Sequence, residues 1–276
     1  MEKNKKIEDI KLAYDQGFLS EEDFKKKSAV LTNNEDISAY KNNSAGVLLV
    51  VGGFLKNLVS MADSYYLLPI RKNVVTLHKE IGIDTDSSGD IPRNISAYKR
   101  IWDIRPGFGF ALTEKEQTQY KEFLQHGGRL VLIGENASFV GRNNSIVNFV
   151  EMMGGGKLTL SGSIFGNGIF GVIASRIFGV NSTQTVKKPF LTPKPISWKK
   201  ITYAAPGGVT SSGTGSFATK DIFGRGTAIL WQKGTLSNAP LGTLIVVFDV
   251  NFLQNTYGLP NSQNFAENMI RYMTNS

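Results

Sequence analysis

LTEKEQTQYKEFLQHGGRLVLIGENASFVGRNNSIVNFVEMMGGG, Leu112–Gly156, is the stretch that decides the fold. It opens on a helix signal: Thr113 can cap, and Glu116 stands three residues on, where it completes a capping box. Tyr120, Phe123 and Leu124 mark one apolar face, and Gly127-Gly128 ends the helix. Arg129–Gly134, RLVLIG, is a continuous apolar run, as in a strand buried on both faces of a parallel sheet. Ile146, Val147, Phe149, Val150 and Met153 then recur at helical spacing, and Gly154–Gly156 reads as a helix stop rather than a phosphate cradle. Helix, strand, loop and helix in this order predict an α/β domain with a three-layer, mostly parallel, doubly wound sheet.

Working outward, Gly46–Gly53 (GVLLVVGG) predicts another buried strand, and Ile95–Ile104 a further one whose end carries Asp103 and Arg105. Asn73–Ile81 fits a strand or a helix edge equally well. Lys6–Leu31 predicts two short helices broken at Gly17, the second opening on Ser20 with Asp23 at the box position and Glu21 and Glu22 in its first turn. Thr32–Ser44 is polar and Asn-rich, as a linker is. Residues 157–220 read as an insertion of irregular segments and short strands, with a helix only over Phe170–Phe178. Gly226–Gln232 and Gly242–Asp249 predict two late strands, and Gln263–Met273 a final amphipathic helix after a turn at Gly258–Pro260. The expected organisation is a hairpin at 1–32, a linker at 33–44 and an α/β domain at 45–276.

Composition narrows the chemistry. The chain has 276 residues, 41% of them hydrophobic and 20% charged, enough for a sizeable core. It contains no cysteine, which excludes disulfides, thiolate metal sites and a cysteine nucleophile. The formal net charge is +8; residues 1–36 hold seven Lys against nine Asp or Glu, so the remainder carries +10. Such a body attracts anions, and nucleic acid is one reading, but its Lys residues are scattered rather than gathered in a basic arm. The N-terminus shows no apolar h-region, and Ile164–Val180 is interrupted by Asn167, Arg176 and several Gly. The expectation is a soluble, cytoplasmic protein with no membrane partner. Neither a dinucleotide fingerprint nor a GxxxxGK[ST] loop occurs, so no cofactor is expected.

Open parallel sheets bind ligands at the carboxyl ends of their strands. Here those ends are polar: Asp103 and Arg105, then Glu135 and Asn136, then Asp249 and Asn251, with Arg142 and Asn143 in the loop beyond the second. These eight residues are the candidate ligand-binding set. They admit three readings: a structural network of acids paired with arginines, a site for a small polar ligand or ion, or a carboxylate pair for hydrolysis built on Glu135 with Asp249 or Asp103. No loop has EF-hand spacing, and no metal site is assigned.

Two resemblances add to this. KIEDIKLAYDQGFLSEEDFKKKSAVL, Lys6–Leu31, resembles the SHOCT motif, a helical module linked with oligomerisation and usually found at a C-terminus. That likeness implies self-association through the hairpin. The stretches WDIR (Trp102–Arg105), GGRLVLIGEN (Gly127–Asn136), SFVGRNNSIVNFVEMMGGG (Ser138–Gly156) and GTLIVVFDVNFLQN (Gly242–Asn255) resemble bacterial proteins with a class I glutamine amidotransferase-like domain. The resemblance implies a flavodoxin-like architecture over 45–276. It also implies a strand elbow after Gly134 where true amidotransferases carry a Cys, with a His–Glu pair on a late strand. This chain has Glu135, Asn136, Ala137 and Ser138 at the elbow, and its two histidines, His78 and His126, precede the late strands. Triad chemistry therefore lacks both nucleophile and base. The expected function is a non-catalytic binding or assembly protein. A carboxylate-dependent hydrolase acting on a carbohydrate or ester, and a nucleic-acid-binding protein, are the alternatives.

Overall fold

The computed structural model describes residues 46–52, 61–105, 110–163 and 181–275, all within one compact unit, 45–276. The expected hairpin at 1–32, the linker at 33–44 and the helix expected at 170–178 lie outside the described residues. The first half runs β1 (Val47–Val51), α1 (Met61–Glu80), β2 (Asp86–Ser88), β3 (Arg100–Ile104), α2 (Glu114–Gln125), β4 (Arg129–Ile133) and α3 (Val140–Met152). Six short strands follow: β5 (Leu158–Ser163), β6 (Asn181–Val186), β7 (Lys200–Ala204), β8 (Gly207–Ser212), β9 (Ser216–Phe217) and β10 (Thr219–Lys220). The described chain closes with β11 (Ala228–Trp231), β12 (Thr243–Val247) and α4 (Ser262–Asn275).

The central sheet has the order β2-β1-β3-β4-β12-β11-β9. It is parallel from β2 to β12, after which β11 and then β9 pair antiparallel. Val47 lies beside Arg100, Arg100 beside Arg129, and Arg129 beside Thr243, so the inner strands start level and end level. Side chains alternate across each strand. Leu130 and Leu132 of β4 join Tyr120, Phe123 and Leu124 of α2 and Ile146, Phe149 and Val150 of α3 on one face. Val131 and Ile133 join Ile70, Val74 and Leu77 of α1 and Phe265, Met269 and Met273 of α4 on the other. Covering both faces is why β1, β4 and β12 read as unbroken apolar runs.

Three elements differ from what periodicity predicts. Asn73–Ile81, open between strand and helix, forms the last turns of α1 up to Glu80, with Ile81 in the turn beyond; Ile70, Val74 and Leu77 sit at helical spacing. The strand expected from Ile95 begins only at Arg100, because Tyr98 N–H closes a turn onto the Ile95 carbonyl at 3.1 Å. β2, Asp86–Ser88, is polar and half-buried at the sheet edge, so it carries no apolar signal. Residues 181–220 are more ordered than their composition implies: β10, β6 and β7 form a small antiparallel sheet whose Val186, Ile201 and Tyr203 enter the core with α4.

The capping box forms as the sequence predicts. Thr113 Oγ1 accepts the Glu116 N–H at 3.3 Å, and Glu116 Oε2 accepts the Thr113 N–H at 2.8 Å. Thr113→Ala removes half of this exchange. Guanidinium unfolding should show a loss of about 1–2 kcal/mol; an unchanged midpoint would mean the box adds nothing to α2.

Candidate functional site

The level ends of β1, β3, β4 and β12 bring all eight candidate residues to one edge, where they separate into two networks. Two glycines make this packing sterically feasible. A Cβ on Gly52, just beyond β1, would lie 2.8 Å from Arg105 Cγ, and one on Gly134, just beyond β4, would lie 2.7 Å from Asn143 Oδ1.

The first network is centred on Asp103, which is fully buried. Alternation along β3 turns it to the α2–α3 face. Arg105 donates to both carboxylate oxygens, Nε to Oδ1 and Nη2 to Oδ2, each at 2.8 Å. Arg142 of α3 approaches Oδ1 at 3.1 Å, and Tyr120 of α2 donates its hydroxyl to Oδ2 at 3.0 Å. Arg105 Nη1 continues to Glu116 Oε1 at 2.8 Å. Arg142 donates onward to the Ile133 and Phe110 carbonyls, each at 3.0 Å. Burial by itself would raise the Asp103 carboxyl, but the Arg142 and Arg105 charges and the bonds from Arg105 and Tyr120 hold it below the usual range. The same contacts raise Arg105 against its own burial. Two guanidinium groups around one carboxylate, each with all three nitrogens partnered, form a structural brace joining β3, α2 and α3.

The second network holds Glu135 and Asp249 and contains no cation among the described residues. Glu135 is 3% exposed and Asp249 is fully enclosed. Every carboxylate oxygen accepts a backbone amide. Glu135 Oε1 takes Asn136 N–H at 3.0 Å and Oε2 takes Val250 N–H at 3.1 Å, which ties the β4 elbow to the end of β12. Asp249 Oδ1 takes Asn251 N–H at 2.7 Å and Oδ2 takes Ala204 N–H at 3.1 Å, which ties β12 to β7. Asn143 clasps the elbow from α3: its Oδ1 accepts Glu135 N–H at 3.0 Å, and its Nδ2 donates to the Glu135 and Asn136 carbonyls at 2.7 and 3.0 Å. Asn251 donates its side-chain amide to the Ala204 carbonyl at 2.9 Å. Burial pushes Glu135 up to about 7. Burial, followed by the neighbouring Glu135 charge, pushes Asp249 well above the ordinary carboxylate range. The two therefore titrate as a pair that keeps a proton near neutrality.

Asn136 is half-buried and closes a turn by accepting Ser138 N–H at 3.0 Å. The histidines lie elsewhere. His78 is buried against the other face, its Nδ1 bonded to the Val74 carbonyl at 2.8 Å and its ring edge-on to Trp102, and desolvation lowers it to about 4. His126 ends α2 at the opposite edge of the sheet, bonded to the Glu122 carbonyl at 2.7 Å. Sequence reading missed Tyr120 as the third donor to Asp103, having placed it only in the apolar face. It also missed Ala204, a backbone donor that no side-chain pattern marks. Glu116 was legible as a capping residue, and its second oxygen is what reaches Arg105. Among the described residues no group of three His, Cys, Asp or Glu could hold a metal ion, and no helix is long and apolar enough to cross a membrane.

No family model matches the chain, and no curated protein matches it. Among solved structures, the chain is similar to the mmIFT52 N-terminal domain with a TM-score of 0.54 at 9% identity, over 83% of this chain and 97% of that one. It is also similar to the cold-adapted β-galactosidase from Rahnella sp. R3, with a TM-score of 0.46 at 12% identity, over 91% of this chain and 35% of that one. A ThuA-like protein from Bacteroides uniformis gives a TM-score of 0.45 at 12% identity, over 84% of this chain and 92% of that one. At this identity the first likeness describes the fold: a mixed α/β domain with helices around a mostly parallel sheet.

Two measurements follow from the networks. Asp103→Asn leaves two buried guanidinium groups without their carboxylate and should cost about 3–5 kcal/mol in guanidinium unfolding; a loss under about 1 kcal/mol would show that the brace is dispensable. Glu135 acts in the opposite sense with pH. Its folded value, about 7, lies above its ordinary 4.5, so the folded state keeps the proton as pH rises. Its contribution is full below about pH 4.5 and declines as pH rises through 7. Unfolding at pH 5 and pH 8 should show this fall in the native chain and a flatter profile in Glu135→Gln. Equal slopes in the two proteins would refute it.

Proposed function

We propose that this chain is a non-catalytic binding or assembly protein whose α/β domain is flavodoxin-like and resembles class I glutamine amidotransferases without their nucleophile. The observation that carries this reading is the state of the carboxyl edge. Among the described residues that edge holds a carboxylate pair whose four oxygens are taken by backbone amides. The finer fold reading draws support from strand order: the parallel strands run β2-β1-β3-β4-β12, the flavodoxin-like sequence of crossovers.

Glu135 and Asp249 also bear on the hydrolase reading, because paired acids with raised pKa values mark many catalytic sites. A glycosidase acid must reach the leaving oxygen and its partner must reach water or the sugar. Side chains 3% and 0% exposed, bridging three strand ends, serve better as staples than as reagents. A second feature favours assembly. The β10–β11 turn is held by Asp221, which accepts Phe223 and Arg225 N–H at 2.9 and 2.8 Å, and it presents Ile222 and Phe223 at 90% and 75% exposure. An apolar pair on a preorganised tip is suited to meeting a partner with little ordering cost. In this reading the N-terminal hairpin, Lys6–Leu31, mediates self-association or docking.

Light scattering on the full chain and on a chain starting at Asn43 tests the assembly half. A larger mass for the full chain is expected, and identical masses would remove the hairpin's role. Turnover of glycoside or ester substrates that is lost in Glu135→Gln would overturn the non-catalytic half.

A further inference from the structure

We propose that the amino-terminal edge of the central sheet is an oxyanion-binding site, built to take a phosphorylated or polycarboxylated small molecule. The inference rests on the edge opposite Glu135 and is independent of the function proposed above. β3 and β4 both begin on arginine, and Arg100 lies in register beside Arg129, one strand spacing of about 4.8 Å away. A cavity of about 640 Å³ opens there, lined also by Arg93, Lys99 and His126. Glu122 is the one carboxylate among its lining residues. That volume falls in the range of small-molecule sites.

Among the described residues, none of Arg93, Lys99, Arg100 and Arg129 forms an ion pair with a carboxylate. Arg129 Nη1 rests on the Met273 and Thr274 carbonyls at 2.6 and 2.8 Å, which supply acceptors but no opposing charge. Arg100 Nε is buried and finds no acceptor. Burial, followed by the Arg129 charge, holds Arg100 below the usual arginine range. At the carboxyl edge the same protein answers Arg105 and Arg142 with Asp103, Glu116 and two carbonyls. Adjacent like charges on neighbouring strands are destabilising, and a buried donor without a partner costs more. An anion with several oxygens offsets the like-charge repulsion, because the planar guanidinium fork matches phosphate and carboxylate alike.

Titration calorimetry on the full chain at constant ionic strength, with inorganic pyrophosphate and with citrate as probes, tests this. We expect saturable binding at one site per chain for at least one probe. Saturation by pyrophosphate alone assigns a phosphate ligand, and by citrate alone a polycarboxylate. Arg100→Gln should weaken that binding about tenfold or more, the effect of losing one charge-assisted contact. Arg93→Gln with Lys99→Gln, both exposed, should weaken it severalfold and decides the matter if Arg100→Gln does not fold. Absence of saturation with both probes, or native affinity in the folded variants, overturns the proposal.

Discussion

A carboxylate with two guanidinium groups around it, buried where three elements meet, is the contact on which the carboxyl half of this domain depends. Asp103 is at the last-but-one position of β3, Arg105 just beyond it, Arg142 on α3 and Tyr120 on α2. None of these groups tolerates burial alone: an isolated charge in a core costs several kcal/mol, on the order of the whole stability of a domain. Each is therefore conditional on the others, and α2 and α3 must reach the sheet in one position for all to be satisfied. Apolar packing on the same face, through Tyr120, Phe149 and Leu132, is less selective, since hydrophobic contact is non-directional. The ion network supplies direction, at hydrogen-bond distances that a slipped helix could not keep.

The same edge shows how one residue type serves different ends. Asp103, Glu135 and Asp249 are all buried carboxyls at strand ends. Asp103 has cations and stays ionised; the other two have neutral amide donors and, among the described residues, no cation, so desolvation prevails and they favour sharing a proton. What distinguishes them is the neighbour brought by the fold: α3 places Arg142 beside β3, whereas β7 and β12 bring amide groups to Asp249. The opposite edge inverts the pattern, with arginines side by side and, among the described residues, no carboxylate paired with them. Charge is thus balanced at the end where this architecture usually binds ligands and unbalanced at the end where it usually does not.

Strands and helices whose burial is uniform were legible in the chain. RLVLIG, GVLLVVGG and GTLIVVFD announce strands covered on both faces, and Thr113 with Glu116 announces the start of α2, because these signals are local and repeat at the period of the element. Elements stabilised by partners distant in sequence were not. β2 is three polar residues that become a strand only because β1 offers its edge. β6 and β7 alternate too weakly to read until α4 supplies a surface for Ile201 and Tyr203.

For the site, the sequence marked which residues could gather: if their strands are neighbours in a parallel sheet, Asp103, Glu135 and Asp249 converge on one edge, and the level register of β1, β3, β4 and β12 brings them there. The missing cysteine and the early histidines likewise settled which chemistry this chain lacks at the elbow. Only the tertiary structure decided how the eight residues divide, because pairing depends on distances of about 3 Å between groups up to 115 residues apart. It alone showed that Arg105 and Arg142 belong to Asp103 and that, among the described residues, Glu135 and Asp249 have no cation. It alone also showed that the arginines opening β3 and β4, spaced like any others in the chain, stand side by side and have no carboxylate partner among the described residues.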